Sequence, residues 1–259
     1  MQTALVIRDV TDESAQRRLR SYFLDSITHE FRTPLSTLSA SLELLLDTEV
    51  GLSAGEMREL LKPTHLSLLT LQQLVDNVLM SSRIEAGRFS VHLRPTDLGA
   101  VITSAIQLVK PMFERRQQTF TIAESAFPLT VQADPGHLTQ ALVNLLTNAS
   151  KYSPLGAPID VTVLTHSVWI RLAVADRGPG IPPSDRARLF ERFVRLAGDD
   201  EQYGIGLGLA IVKSVVEAHH GRLGVDERPG GGTIFWFELP LGEAAAEQAA
   251  TGPIGIGSP

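Results

Sequence analysis

A stripe of apolar residues near the N-terminus constrains the fold of this chain more than any other feature. Its members recur at steps of three and four residues, as on one face of an amphipathic helix: Leu24, Ile27, Phe31, Leu35, Leu38, Leu42 and Leu45. The periodicity predicts one long helix from about Glu13 to Asp47. Pro34 lies inside it, and a proline in a helix interior is expected to kink the helix.

A second apolar stripe follows the loop glycines Gly51 and Gly55, again at steps of three and four: Leu61, Thr64, Leu68, Leu71, Val75 and Val78. Two long helices with a short connection predict an antiparallel hairpin. A single hairpin leaves much of both stripes in water, so we predict that two copies pair into a dimeric four-helix bundle. The alternative is that the hairpin packs on the C-terminal domain of its own chain.

One histidine of the first helix falls outside the apolar stripe. His29 lies between the stripe positions Ile27 and Phe31 and belongs to neither. This position predicts an imidazole that points largely to solvent, with the carboxylate of Glu30 beside it. A histidine packed in a core would need burial, which the periodicity does not give.

Composition excludes several classes of site and partner. The net charge of -6 argues against a nucleic-acid-binding protein, which is usually basic. The sequence has no cysteine, which excludes disulfides, thiolate zinc sites and cysteine nucleophiles. No apolar run reaches the roughly 18 residues that span a bilayer, and the N-terminus lacks the features of a signal peptide. We expect a soluble, cytoplasmic chain, with membrane contact only through parts outside this sequence.

The pattern changes after the second helix, which ends at Gly87. Beyond it, short strands alternate with helices that begin at Asp97 and at Asp134 or Pro135. This order predicts an α+β sandwich with helices on one face of a mixed sheet. We predict that residues 1–12 are the end of an upstream domain, with a short strand at Ala4–Arg8. The further predicted divisions are the helical hairpin at 13–87, a linker at 88–96, the α/β domain at 97–241 and a disordered tail at 242–259.

Residues 144–152 form the first of four segments that carry chemistry. Asn144, Asn148 and Lys151 follow one another at spacings of four and three, on one face of a predicted helix. An asparagine carbonyl is a hard, neutral oxygen donor that suits a Mg²⁺ ion already carrying phosphate oxygens. Lys151 can neutralise phosphate charge. A surface helix with polar residues explains this segment equally well when it is taken alone.

The second segment begins at Asp176, directly after a predicted strand. A carboxylate only accepts hydrogen bonds. Adenine presents an exocyclic amine where guanine presents an oxygen, so Asp176 is a candidate for selecting adenine. Gly178 and Gly180 allow the backbone to approach a base closely. The plain alternative is a strand-to-loop turn capped by the aspartate.

Two glycine-rich segments complete the set. Residues 204–208 open a helix and present free N–H groups to phosphates, but they match neither the dinucleotide pattern nor a P-loop. Residues 230–233 bend into a strand, which a simple turn explains equally well. Between the second and third segments lies a lid-like stretch that is longer than ordinary loops. In it, Arg195 is a candidate for contacting a terminal phosphate.

In this order and spacing the segments resemble those of the sensor histidine kinases of two-component systems. The resemblance covers about residues 13–240 and assigns the boxes of that family: H box 29–35, N box 144–152, G1 box 176–180, F box 190–195, G2 box 204–208 and G3 box 230–233. Phe31, Ile205 and His137 stand where leucine, threonine and arginine are common in the family, and none of these departures removes a catalytic group. The start of the chain, Ala4 to Glu13, resembles the end of a PAS sensor domain.

The resemblance implies a dimerisation and phosphotransfer hairpin followed by a Bergerat-fold (GHKL) ATP-binding domain. His29 would be the phosphoacceptor and Glu30 the general base, and the phosphoryl group would pass to an aspartate of a response regulator. Thr33 would orient water for dephosphorylation of that regulator, the alternative being a hydroxyl that bonds only to its own helix. ATP and Mg²⁺ are implied, with Asn148 and Asn144 as metal ligands. The implied nucleotide contacts are Asn144, Asn148, Lys151, Tyr152, Asp176, Gly178, Gly180, Ile181, Arg195, Gly204, Gly206, Leu207, Gly208 and Thr233.

Three rival functions share part of this pattern. ATPases of the gyrase, mismatch-repair and chaperone types resemble the nucleotide boxes but lack the histidine hairpin before them. A scaffold that binds ATP without transferring phosphate is disfavoured by the presence of His29, Glu30, Asn148 and Asp176. A protein that acts mainly as a phosphatase is not excluded, because the same hairpin serves both directions.

Overall fold

The computed structural model describes residues 11–47, 51–124, 129–166, 168–194 and 204–241, with side chains from Asp25 onward. The predicted strand Ala4–Arg8, Arg195 and the predicted tail 242–259 lie outside the described residues. Contacts divide the chain into two units. The first comprises Met1–Val75 with Glu201–Ile205, and the second comprises Asp76–Asp200 with Gly206–Pro259.

The helices of the predicted hairpin are both present. Helix α1 spans Thr11–Leu46 and runs without interruption through Pro34, and α2 spans Ala54–Glu85. The start of α2 is fixed by a reciprocal pair of bonds, in which the Glu56 N–H donates to Ser53 Oγ and the Ser53 N–H donates to Glu56 Oε2. No helix among the described residues is both long and apolar enough to cross a membrane.

The apolar stripes of the hairpin are poorly covered within one chain. Leu35 and Leu42 on α1 are 49% and 51% exposed, and Leu68 and Val75 on α2 are 47% and 41% exposed. Side chains of this size stabilise a fold by roughly 1.5–3 kcal/mol each when fully buried. The hairpin of a single chain therefore leaves a large part of this stabilisation unused.

The second unit is an α+β sandwich, as the sequence predicts. The strands of its five-stranded sheet are β2 Phe120–Glu124, β4 Ile159–His166, β5 Trp169–Ala175, β6 Arg222–Glu227 and β7 Thr233–Pro240. Their order is β2-β4-β5-β7-β6, with β2 parallel to β4 and the other neighbours antiparallel. Three helices build the core with this sheet: α3 Leu98–Arg115, α4 Pro135–Tyr152 and α6 Gly208–Ala218. The largest fully buried side chains include Phe113, Leu142, Leu145, Ile170, Leu172, Ile211 and Phe237.

Two aspartates fix the starts of the sheet-packed helices at the predicted positions. Asp97 accepts from the Gly99 N–H at the start of α3, and Asp134 accepts from the N–H groups of Gly136 and His137 at the start of α4. Burial favours the neutral form of Asp134, but hydrogen bonds from His92 and His137 outweigh it and lower its pKa to about 2. The ionised cap therefore contributes to stability above its ordinary pKa.

Two short elements are not predicted by the sequence pattern. Strand β1, Arg94–Asp97, pairs antiparallel with β3, Thr130–Ala133. It contains Pro95 and lacks a clear alternation, because only Thr96 is buried. A single helical turn, α5, spans Pro183–Arg186 between the G1 and F boxes.

Candidate nucleotide and phosphoacceptor sites

The N box forms the C-terminal half of α4. Asn144 is buried, and Asn148, Lys151 and Tyr152 are half-buried. The Lys151 Nζ donates to Tyr152 Oη at 3.0 Å and lies 4.6 Å from the centre of the same ring. Lys151 is thus folded along its neighbour, which leaves its charge at the end of α4.

Asp176 is a buried residue of the predicted site and is held by backbone N–H groups. It is 3% exposed, and its Oδ1 accepts the N–H of Gly178 at 2.8 Å and the N–H of Thr233 at 3.0 Å. Burial raises the pKa of this carboxyl, although both backbone bonds and the nearby Arg228 favour its charged form. Both of these bonds use Oδ1, so Oδ2 keeps lone pairs for a ligand amine.

The G1 and G3 boxes are joined through the backbone. The Asp176 N–H donates to the Thr233 carbonyl at 2.8 Å. Gly232 has a φ of +111°, and a Cβ on it would lie 2.2 Å from the Asp176 carbonyl oxygen. Only glycine fits this close approach. The third glycine of the G3 box is therefore required for the position of Asp176.

The G2 box is held by the F box on one side and contacts the N box on the other. The Phe193 N–H donates to the Gly206 carbonyl at 2.9 Å. Gly206 has a φ of +74°, and a Cβ on it would lie 3.0 Å from Phe193 backbone atoms. Leu207 is buried at the start of α6, and a Cβ on Gly208 would lie 3.6 Å from Asn144 Cγ.

Within the second unit, these contacts bring the N, G1 and G3 boxes and residues 206–208 of the G2 box into one region. A Cβ on Gly178 would lie 2.9 Å from the Tyr152 carbonyl, so the G1 box also touches the end of the N box. Gly180 and Ile181 continue the G1 loop, and the Ile181 carbonyl accepts from Arg186 Nε at 3.2 Å. The ends of α4 and β5 and the starts of α6 and β7 therefore meet in one region.

The phosphoacceptor candidates lie in the first unit. His29 is exposed, as its place beside the apolar stripe predicts. Glu30 is 9% exposed, and its Oε1 accepts the N–H of Gly204 at 2.5 Å. The carbonyl of Thr33 accepts from Thr37 Oγ1 at 3.2 Å. Because Pro34 has no N–H, the backbone carbonyl of Glu30 lacks its usual helical donor four residues on.

Two residues near the nucleotide segments are missing from the sequence prediction. Arg228 Nη1 donates to the Asp176 carbonyl at 3.0 Å, and its Nη2 donates to Asp160 Oδ2 at 2.6 Å. Asn77, near the end of α2, donates from Nδ2 to Asn144 Oδ1 at 3.3 Å. No local pattern identifies either residue, because both act on positions far away in the sequence.

Two family models match the chain in the order of its helical and α/β parts. The family described as His Kinase A (phospho-acceptor) domain matches residues 19–87. The family described as Histidine kinase-, DNA gyrase B-, and HSP90-like ATPase matches residues 133–243. The first range contains His29, and the second contains all the nucleotide boxes.

The chain is also similar to sensor kinases over most of its length. Sensory/regulatory protein RpfC of Xanthomonas campestris pv. campestris is 36% identical over 258 residues, which are 96% of this chain and 35% of RpfC. Adaptive-response sensory kinase SasA of Synechococcus sp. is 30% identical over 247 residues, 93% of this chain and 66% of SasA. The chain thus spans roughly a third to two thirds of the length of these curated relatives.

Solved structures extend the likeness to the fold. A structure of the mycobacterial sensor histidine kinase MprB is 37% identical with a TM-score of 0.51, and the match covers 57% of this chain and 97% of that one. Full-length ShkA in complex with AMPPNP is 32% identical with a TM-score of 0.58, over 86% of this chain and 45% of ShkA. With a phosphoacceptor helix and an ATPase sandwich in the same order, the chain belongs to the sensor histidine kinases of bacterial two-component systems.

Proposed function

We propose that this chain is the kinase core of a two-component sensor. It uses ATP to phosphorylate His29 and then passes the phosphoryl group to an aspartate of a response regulator. The observation that carries the proposal is the buried Asp176 carboxylate, held at Oδ1 by two backbone N–H groups, in a chain whose exposed His29 lies in a phosphoacceptor helix.

Asp176 would recognise adenine through its exocyclic amine. A carboxylate is an acceptor only, so the oxygen of guanine at the same position would face it without a hydrogen bond. In a buried site, an unpaired polar group costs about 1–3 kcal/mol. The arrangement therefore favours adenine over guanine through hydrogen bonding and not through the size of the base. Gly178, Gly180, Ile181 and Thr233 would form the surrounding wall.

The donor set at the other end of the site fits Mg²⁺. Asn148 and Asn144 offer neutral amide oxygens, and the described residues contain no cluster of three or more histidines and carboxylates that would hold a metal alone. Such a site leaves the charge to be balanced by phosphate oxygens, as hard-cation nucleotide sites require. When bound, Mg²⁺ would neutralise phosphate charge. The contacts to phosphates or ribose would come from Lys151, Tyr152 and Arg195. The lid would approach the phosphates closely at Gly204, Gly206, Leu207 and Gly208.

At His29 the proposed chemistry is a nucleophilic displacement. Glu30 takes the proton from one ring nitrogen, and the lone pair of the other nitrogen attacks the γ-phosphorus. The bond from the γ-phosphorus to the bridging oxygen of ADP breaks as the nitrogen–phosphorus bond forms. The product is a phosphohistidine, from which an aspartate of the regulator accepts the phosphoryl group. Thr33, one helical turn after His29, would orient water for removal of phosphate from the regulator.

The proposed organisation follows from the same likeness. The dimerisation and phosphotransfer domain would occupy 13–87, the linker 88–96 and the ATP-binding domain 97–241, with 1–12 as the end of an upstream sensor domain. The half-exposed leucines of α1 and α2 support a homodimer. The partners would be a second copy and a response regulator, in the cytoplasm.

The test is phosphorylation with labelled ATP and Mg²⁺. The chain should acquire a phosphate that is labile in acid and stable in base. His29→Gln should abolish the label, whereas His65→Gln, at an exposed histidine of α2, should leave it unchanged. Equal labelling of His29→Gln and the parent would show that another residue accepts the phosphate. Asn148→Asp should lose labelling together with Mg²⁺–ATP binding.

A further inference from the structure

An asparagine near the end of α2 is bonded to the N box within the second unit. Asn77 Nδ2 donates to Asn144 Oδ1 at 3.3 Å, and Asn77 Oδ1 accepts from Gln140 Nε2 at 3.4 Å. Gln140 and Asn144 are one helical turn apart on α4. A single amide of α2 thus bridges two successive turns of the helix that carries the proposed metal ligands.

The acceptor in this bridge is the atom that a metal would need. The only oxygen of the Asn144 side chain is Oδ1, and an N–H directed at it occupies a lone pair. Mg²⁺ demands near-ideal octahedral geometry at about 2.0–2.1 Å, so a ligand oxygen must be free to turn toward it. The start of α6 also approaches the same amide, because a Cβ on Gly208 would lie 3.6 Å from Asn144 Cγ and 3.7 Å from its Oδ1.

The three amides form a chain with a direction. Gln140 donates to Asn77, and Asn77 donates to Asn144, so each carbonyl oxygen faces the amine of the previous residue. Because each amide has one acceptor side and one donor side, turning Asn144 alone would break the chain. The bond from Asn77 therefore favours the present orientation of the Asn144 oxygen.

The surrounding contact between α2 and α4 is incompletely packed. A cavity of about 220 Å³ separates residues of α2 from the start of α4. Its lining mixes polar and apolar groups: Asp76, Leu79, Met80, Arg83, Asp134, Gly136, His137 and Gln140. A contact that depends on a few polar bonds around a void can open at a smaller cost than a dense apolar interface.

We propose that Asn77 is a gate on nucleotide loading. In the bridged state it holds the Asn144 oxygen toward α2, and withdrawal of the α2 segment 76–85 releases that oxygen for the Mg²⁺–nucleotide complex. The inference rests on the proposed function of Asn144 as a metal ligand. In this proposal, the position of the end of α2 within the second unit controls the nucleotide site.

The experiment measures ADP affinity by calorimetry with Mg²⁺ and again with the metal chelated. Asn77→Ala and Asn77→Leu should both bind Mg²⁺–ADP about three- to tenfold more tightly than the parent, the effect expected from removing one competing hydrogen bond. Their metal-free ADP affinity should stay the same. The matched control is Gln72→Ala, which removes an exposed amide of the same helix and should change neither value.

Unchanged Mg²⁺–ADP affinity in both variants would overturn the proposal, and weaker affinity would show that Asn77 positions Asn144 instead of withholding it. Asn77→Leu keeps the number of side-chain heavy atoms and their branching at Cγ, so it gives the answer if the alanine variant unfolds. Asn144→Ala distinguishes a failure of the metal role of Asn144 from a failure of the gate at Asn77. If that variant binds Mg²⁺–ADP like the parent, the metal role of Asn144 fails and the gate fails with it, whereas a weakened Asn144→Ala beside unaffected Asn77 variants removes the gate alone.

Discussion

Replacing Asp176 by asparagine tests adenine recognition most directly, because it changes hydrogen-bonding character with almost no change of shape. In the parent, Oδ1 accepts the N–H groups of Gly178 and Thr233 at 2.8 and 3.0 Å. In Asp176→Asn only the amide oxygen can accept these bonds, so the NH₂ group takes the place of Oδ2. Turning the amide over would give up both bonds, at about 1 kcal/mol each.

The variant therefore presents a donor where the parent presents an acceptor. The NH₂ group meets the amine of adenine donor against donor, but it can donate to the oxygen of guanine. A hydrogen bond to a charged acceptor contributes about 1.5–3 kcal/mol, so the affinity for ADP should fall about 10- to 150-fold. The affinity for GDP should stay constant or rise, which narrows or reverses the preference between the two bases.

Calorimetric titration of the parent and the variant with ADP and GDP measures this preference.

Burial raises the pKa of Asp176 above its ordinary value of 3.8. The carboxyl therefore contributes to the free energy of unfolding below pH 3.8, and this contribution is lost as the pH rises through the folded-state pKa. At neutral pH, Asp176→Asn should thus unfold at the parental temperature or above it. Asp226→Asn removes an exposed carboxylate of the same sheet and should bind both nucleotides like the parent. Equal loss of ADP and GDP binding, or unchanged ADP binding, would refute the reasoning.

Three further variants test the supporting structure. Gly232→Ala should lower the free energy of unfolding by about 2 kcal/mol or more in a denaturant titration, because its Cβ would meet the Asp176 carbonyl at 2.2 Å. The control Gly230→Ala, with no atom within 4 Å of its Cβ, should lose only the stability that its positive φ costs. Equal losses in the two variants would contradict the close approach. Asp134→Asn should lower the free energy of unfolding at pH 7 by about 1–2 kcal/mol relative to the parent. This difference should vanish as the pH falls from 3.8 toward the folded-state pKa of about 2. A difference that persists at pH 2 would exclude an ionic cap. Thr33→Ala should spare phosphorylation of His29 and slow dephosphorylation of the regulator, and equal loss of both activities would indicate a structural role.

Local patterns predicted the features that depend on neighbours in the sequence. The periodic stripes predicted both long helices, and Asp97 and Asp134 predicted the starts of α3 and α4, since a cap acts only on the next few N–H groups. Alternation predicted the β4–β5 pair, which is antiparallel in the structure. The exposure of His29 also follows from its place beside the stripe.

Features that depend on distant partners were not predictable in this way. The bond from Asn77 to Asn144 spans 67 residues, and that from Arg228 to the Asp176 carbonyl spans 52. No periodicity sets which polar side chains meet across such separations, because the fold as a whole decides it. Strand β1 is missed for a different reason, since Pro95 and the exposed residues around it do not look like a strand. The roles of the individual site residues remain predictions that the variants above address.

The half-exposed stripes of α1 and α2 have a consequence for signalling at low protein levels. Leu35, Leu42, Leu68 and Val75 are 41–51% exposed among the described residues and would gain burial from the second chain of the proposed homodimer, whereas the sandwich buries its core within one chain. In the proposed homodimer the thermal stability of the hairpin should therefore rise with protein concentration, and that of the sandwich should not. At low copy number the proposed homodimer would dissociate, and the hairpin that carries His29 would then lose stability before the sandwich does.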